Sequence, residues 1–240
     1  MNETPPTPTN LDDALLARLP LFPLSDAVLF PGTIIPLHFF EARYRALAQA
    51  CVEGNRLMVL GNLAVDADAE ADASADQGGE DEIPRVRPVV TIGAVAAERR
   101  LPDGRWDIAL RGVCRAEIIA ELPSDEPYRL VQVRRLRDRE KPADRLHGSD
   151  LRSAVMQLAN LLPALWPQLS PLLAAVTTPA SLTDVVSSMF VDDRNLRRRL
   201  LEELTVSARL DVLTDAVGEI LLDLTFRTLG HDKRHAPLKN

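Results

Sequence analysis

Near residue 146 the spacing of apolar residues changes from the alternation of strands to the three-and-four spacing of helices, and this switch divides the chain into two parts. Before it, Leu21 to Leu37 holds short apolar runs broken by Pro23, Pro31-Gly32 and Pro36. Prolines in strands sit mainly at edges, starts and bulges, so these runs predict short, bent strands. Phe40, Tyr44, Leu47 and Cys51 share one helical face and Gly54 follows as a stop, which predicts a helix over 41–53. Further strands are predicted over 57–61, 89–98, 106–111, 115–121 and 128–136. The Pro102-Asp103-Gly104-Arg105 turn joins two of them, with Trp106, Ile108 and Leu110 facing a core and Asp107, Ala109 and Arg111 facing water.

After the polar stretch 137–148, Leu151, Val155, Leu158 and Leu162 predict a helix that ends at Pro163 and Pro167. Ser181 is the expected cap of a helix over 182–190, Asp192 or Asp193 of the next, and Thr205 of the last. In that last helix Leu210, Leu213, Val217, Ile220, Leu221 and Leu224 form an apolar stripe. The expected organisation is a flexible tail over 1–18, a strand-rich part over 19–145, helices over 146–229 and a flexible tail over 230–240.

Hydrophobic residues make up 46% and charged ones 26%, which places the chain among ordinary globular proteins. The Thr/Pro-rich opening does not resemble a secretory signal. Apolar runs such as 89–97 fall short of the roughly 18 residues a membrane helix needs. A cytoplasmic protein without membrane contact is expected. Cys51 and Cys114, far apart and in apolar surroundings, predict buried free thiols.

The net charge of -7 is local: eight acids and no base lie between Asp66 and Glu82, so the remainder carries +1. This segment has little to bury and is expected as a solvated, mobile loop over 64–84. Its Asp66-x-Asp68-x-Glu70 spacing is that of a calcium loop, but Ala71 and Gln77 replace the turn glycine and closing glutamate, so no metal is expected.

One ordered set of residues is specific. Leu19-Pro20-Leu21-Phe22-Pro23-Leu24, Asp26, Val28-Leu29-Phe30-Pro31-Gly32, Ile35-Pro36-Leu37 and Phe40-Glu41-x-Arg43-Tyr44 resemble the opening of Lon protease amino-terminal domains. Gly93, the turn at Leu101 to Arg105, Arg111-Gly112-x-x-Arg115, Pro127-Tyr128, Leu182-x-Asp184 and Ala208-Arg209-Leu210 extend the likeness over residues 19–225. The resemblance implies an α+β fold, a PUA-like, partly closed β-barrel followed by a helical bundle. It also implies a substrate-recognition module, here as a stand-alone member of the family.

The catalytic parts of Lon are a different matter. A phosphate-binding loop needs a Gly-rich cradle and a Lys followed by Ser or Thr, and the Lon peptidase needs a buried Lys beside its Ser. The only lysines are Lys141, Lys233 and Lys239, followed by Pro142, Arg234 and Asn240. The reading is therefore a non-enzyme without cofactor. It binds unfolded or exposed polypeptide and acts in protein quality control, as an adaptor for a separate protease or chaperone.

The expected surface lies near the meeting of barrel and helices, around His38, Phe39 and Tyr44, with Arg111 and Arg115 either lining a groove or, as favoured, pairing structurally with Glu41. His38 is expected to be packed and hydrogen-bonded rather than a general base. His231 and His235 are read as part of a solvated tail rather than a metal pair. Arg197-Arg198-Arg199 is read as a solvated face, with Glu202 and Glu203 four residues beyond Arg198 and Arg199. RNA binding is the alternative, but residues 85–145 hold 14 basic and 10 acidic residues, too even a mixture for a concentrated basic face. An unrelated enzyme using His38 or a carboxylate pair is a third class.

Overall fold

A computed structural model describes residues 11–64 and 85–232. The acidic loop, its calcium-like spacing, the first ten residues and the His231/His235 pair lie outside the residues whose side chains are described. By internal contacts the chain forms two units, residues 1–137 with 193–202, and residues 138–192 with 203–240.

In the first unit β1 (Leu19–Leu24), β2 (Ile34–Phe39), β3 (Leu57–Asn62), β4 (Val89–Arg100), β5 (Trp106–Leu122) and β6 (Arg129–Arg135) form one mixed sheet in the order β2-β5-β4-β3-β1-β6. A further β5–β6 pairing closes five of these strands into a ring and leaves β2 outside as an edge. This is the partly closed barrel of an α+β fold. The β1–β3 pair is parallel and the other pairings are antiparallel.

The sequence predicts two strands where β5 is a single one of 17 residues. Its first half pairs with β2 and its second with β6, while β4 accompanies both. Register shifts in the β4–β5 ladder, at Ile92/Gly93 and Val95/Ala97, and in the β5–β6 ladder, at Ile118/Ala120, bend the paired strands round. Gly112 does not break it, because a residue without a side chain lets the Phe30 carbonyl press against the strand. Gly112 N–H donates to the Thr33 carbonyl at 2.9 Å, and its own carbonyl accepts from Gly32 N–H at 2.9 Å.

Leu19, Leu21, Val59, Ile92, Ala116 and Val131 fill the barrel interior. A second cluster joins Phe22, Phe39, Met58, Trp106, Ile108 and Leu110 to Leu47 and Cys51 of α2 (Ala42–Glu53). The predicted core face of the hairpin is thus buried, as are both free cysteines. Phe40, expected to begin the helix face, precedes α2 and is 62% exposed. The turn Leu101 to Arg105 is closed as expected, with Gly104 at φ +82. Within the segment expected as a tail, α1 (Asp13–Leu16) is capped by Asp12 and buries Leu16 against the barrel core.

In the helical unit α3 (Asp144–Leu161) starts inside the stretch read as polar, because the Asp144 carboxylate accepts from Lys141 N–H at 2.7 Å and fixes the first turn. Pro163 opens a 3-10 turn and Pro167 lies at the start of α4 (Trp166–Ala175). The cap of α5 (Pro179–Phe190) is Thr178 rather than Ser181, which sits three residues on and completes a reciprocal capping box. Leu151, Val155 and Leu158 of α3 and Leu182, Val185 and Val186 of α5 meet the α7 helix (Val206–Asp232) at Leu210, Leu213 and Val217.

The short helix α6 (Arg194–Glu202) belongs to the strand-rich unit, with Asp193 as its cap. Of the arginine run expected as a solvated face, Arg199 is exposed and Arg197 half-buried, but Arg198 is not on such a face. Arg198 is 6% exposed and donates to the Ser25 carbonyl, and Glu202 pairs with Arg87 rather than with Arg198. Long-range partners displaced the pairing within the helix.

Candidate functional site

A cleft of about 540 Å³ opens in the strand-rich unit between the end of β1, the first turn of α2 and the connection from β5 to β6. Leu21, Pro23, Tyr44, Leu63, Leu122 and Tyr128 give it an apolar and aromatic lining. Pro23 carries no N–H, so the end of β1 bears a lining residue that makes no demand for a further strand. The Glu41 carboxylate at the head of α2 makes no capping bond and accepts instead from Arg43 Nε at 2.9 Å. Arg43 then lies over the Tyr44 ring, 4.6 Å from its centroid. Tyr44 stands edge-on to Phe22, with centroids 4.7 Å apart, which anchors the ring to the core.

The rim is charged, and its two arginines are paired. Arg129 holds Glu121 through two hydrogen bonds, one of them 2.9 Å, and Arg43 holds Glu41. Burial pushes both tyrosine phenols up, opposed by the Arg43 charge at Tyr44 and reinforced at Tyr128 by the Glu126 charge. Both tyrosines are therefore neutral, donating phenols at ordinary pH. What the cleft offers a ligand is apolar area with two hydroxyl groups. A second cleft, of about 490 Å³, lies in the helical unit and has a mixed lining, with Arg145, Ser149, Arg152 and Thr177 beside Val176 and Leu182.

The five residues singled out from the sequence do not share one surface. Tyr44 lines the cleft. Phe39 is 1% exposed and packs against Phe22 at 4.6 Å, behind Tyr44 rather than beside it. His38 is hydrogen-bonded as expected but exposed rather than packed: Nδ1 lies 2.6 Å from Asp107 Oδ1, and Nε2 faces Arg105 at 3.3 Å. Arg99, and after it His38, hold the Asp107 carboxyl below its ordinary range. Arg111 is exposed on β5 opposite Ile34. Arg115 is 2% exposed and donates to the Leu201 carbonyl at 2.9 Å, a structural role filled by α6 and not by Glu41.

Sequence reasoning passed over Tyr128, Leu122 and Arg129. The signal was there in Pro127-Tyr128, an aromatic residue directly after a turn proline between two strands. Among the described residues no group of three or more His, Cys, Asp or Glu is placed to hold a metal ion, and no helix is long and apolar enough to cross a membrane.

Comparison with known proteins adds the family. The profile of the ATP-dependent protease La (LON) substrate-binding domain matches residues 18–218. A Lon protease of Desulfosudis oleivorans is 26% identical over 204 residues, 84% of this chain but 24% of that protein. A Lon protease of Trichlorobacter lovleyi is 31% identical over 176 residues, 71% of this chain and 20% of that one. The chain thus spans a quarter or less of these two relatives. Among solved structures, the N-terminal domain of a Lon protease from the Mycobacterium avium complex superposes with a TM-score of 0.63 at 19% identity, covering 84% of this chain and 98% of that one. A Lon N-terminal domain protein from Xanthomonas campestris gives a TM-score of 0.55 at 20% identity, covering 82% of this chain and 96% of that one. Those two likenesses bear on the fold, and with its profile matched over most of the length, this chain belongs to the Lon substrate-binding domain family.

Proposed function

We propose that this chain is a non-catalytic module that binds exposed segments of unfolded polypeptide in the cleft around Tyr44 and Tyr128, and serves as an adaptor for a separate protease or chaperone in the cytoplasm. The observation that carries the reading is the cleft itself: an apolar, aromatic concavity whose rim arginines, Arg43 and Arg129, are held by Glu41 and Glu121. Concave sites with an apolar lining and a few polar groups are where ligands gain most from leaving water. Membership of the protease La (LON) substrate-binding family supports polypeptide as the ligand.

The test is a titration with a reduced, denatured protein and with a mixed RNA pool, each at low and moderate salt. Polypeptide binding through apolar burial changes little with salt, whereas RNA binding weakens steeply because counterion release gains less entropy in more concentrated salt. Salt-insensitive polypeptide binding lost in Tyr44→Ala supports the proposal. Salt-sensitive RNA binding with no polypeptide binding overturns it. The adaptor role is tested by whether a bound polypeptide is degraded faster by a protease purified from the same cells when this chain is added.

A further inference from the structure

The cleft of the helical unit runs between α3 and the connection from α4 to α5, and most of the polar groups along it have nothing to hold. We infer that it receives the carboxyl terminus of a polypeptide whose last residue is apolar, with the terminal carboxylate on the guanidiniums of Arg145 and Arg152. This site is separate from the Tyr44 cleft, and the inference stands without the reading of that cleft.

Arg145, Ser149 and Arg152 follow one another at i, i+4 and i+7, so they share one face of α3. They span about 10 Å of it, at roughly 1.5 Å per residue. Val176 and Thr177 of the connection form the facing wall. Gly148 lets the two walls close on each other: it is buried, and a Cβ on it would stand 3.4 Å from the Pro179 Cβ. Among the described residues the Arg145 guanidinium and the Ser149 and Thr177 hydroxyls make no hydrogen bond or ion pair. Arg152 makes one long bond, from Nη2 to the Val176 carbonyl at 3.4 Å, which sets its guanidinium against the facing wall and leaves most of its N–H donors unused.

The lining selects the ligand. Two arginines against Glu140 leave a single net positive charge, which complements a monoanion. A phosphate ester would bring up to two negative charges beside the Glu140 carboxylate. A planar carboxylate is what an arginine fork binds through two parallel hydrogen bonds. Val176, Pro179 and Leu182 offer apolar area to the side chain next to that carboxylate. The Ser149 and Thr177 hydroxyls both donate and accept, which suits the peptide groups that precede the terminus. An internal segment has the same apolar side chains and peptide groups but no anion, so the arginines would lose water without gaining a partner. At about 490 Å³ the cleft takes a ligand larger than a lone ion.

The test is a titration of the full chain with a labelled hexapeptide ending in two leucines, once as the free acid and once as the amide. The acid is expected to bind about 10- to 100-fold more tightly, the worth of hydrogen bonds to a charged group. Equal affinities, or no binding of either form, overturn the inference. The Arg145 side chain holds nothing in the fold, so Arg145→Gln leaves the melting temperature unchanged. That variant is expected to weaken the acid about tenfold and to leave the amide as it was. A preference for the acid that survives in both Arg145→Gln and Arg152→Gln shows that the carboxylate is read elsewhere, and overturns the inference.

Two further arms assign the site. In Tyr44→Ala the preference for the acid is expected to persist, and its disappearance there would move the peptide to the other cleft and overturn the inference. Inorganic pyrophosphate that displaces the acid peptide at concentrations below the peptide's own Kd would assign the cleft to phosphate ligands, with the same result. A chain that prefers the acid yet binds no denatured protein refutes the proposed function and leaves this site supported.

Discussion

Arg209 Nη1 lies 3.0 Å from Asp184 Oδ1, and the two side chains are 0% and 3% exposed, so a full ion pair is buried where α7 meets α5. Arg209 Nη2 reaches Asp138 Oδ1 at 2.7 Å as well. Charges are taken out of water only where partners await them, and removing one partner strands the other. Arg209→Ala is expected to cost about 3–5 kcal/mol of stability. The double change Arg209→Leu with Asp184→Leu should recover much of it, since neither charge then remains buried. Urea unfolding of the three chains decides this, and a double variant as weak as the single one would show that the pair itself supplies the stability.

Gly112 supports the central bend of the barrel. A Cβ built there would overlap the Phe30 carbonyl, which belongs to backbone and cannot swing aside. Gly112→Ala is expected to cost about 2–4 kcal/mol, within the range of strained core changes. Gly218, whose added Cβ meets nothing within 4 Å, is the control. Gly218→Ala should stabilise α7 slightly through helix propensity. Thermal melts of both variants check the contrast.

These two residues also show what was legible in sequence. Strand and helix positions could be read wherever the pattern is local: the alternation at Trp106, Ile108 and Leu110, the stop at Gly54 and the turn at Gly104 all stand in the structure. The misreadings share a cause, which is a partner distant in sequence. Residues 106–111 and 115–121 read as two strands in sequence, and the contact that shows them as one, Phe30 against Gly112, joins residues 82 positions apart. Arg198 suggested a wet face because Ser25, its acceptor, is 173 positions away. The candidate site was legible at Tyr44 alone, since its other wall comes from the β5–β6 connection and only the closed ring brings that connection beside α2.

Tyr44 should dominate binding to the cleft. It presents a large ring held in place from behind by Phe22 and flanked by Arg43, so little ordering is needed when a ligand arrives. Truncation of a central aromatic anchor costs about 2 kcal/mol, or roughly 30-fold in Kd. Tyr44→Ala is expected to show that loss, with Tyr44→Phe losing much less because the apolar area remains. Fluorescence anisotropy with a labelled, denatured protein measures both. An equal, large loss in Tyr44→Phe would assign the energy to the hydroxyl instead.

Alkaline stability should be governed by Cys51. Burial pushes its thiol from an ordinary 9.0 up to about 12, and the neutral thiol faces the Leu57 carbonyl at 3.3 Å. Because the folded value is the raised one, the contribution is present in full below the unfolded value of 9.0. As pH climbs beyond that point the unfolded chain sheds its proton first and the folded state loses ground, until the two states titrate alike above about 12. The full loss corresponds to roughly 4 kcal/mol. Tyr44 and Tyr128, also raised by burial, act in the same direction. Cys51→Ala removes the thiol and leaves a small void, so it should be the weaker protein near neutrality and lose less on the alkaline side. Urea midpoints of the two chains, followed from neutral to alkaline pH, are expected to converge; midpoints that fall in parallel would show that Cys51 does not control the alkaline limb.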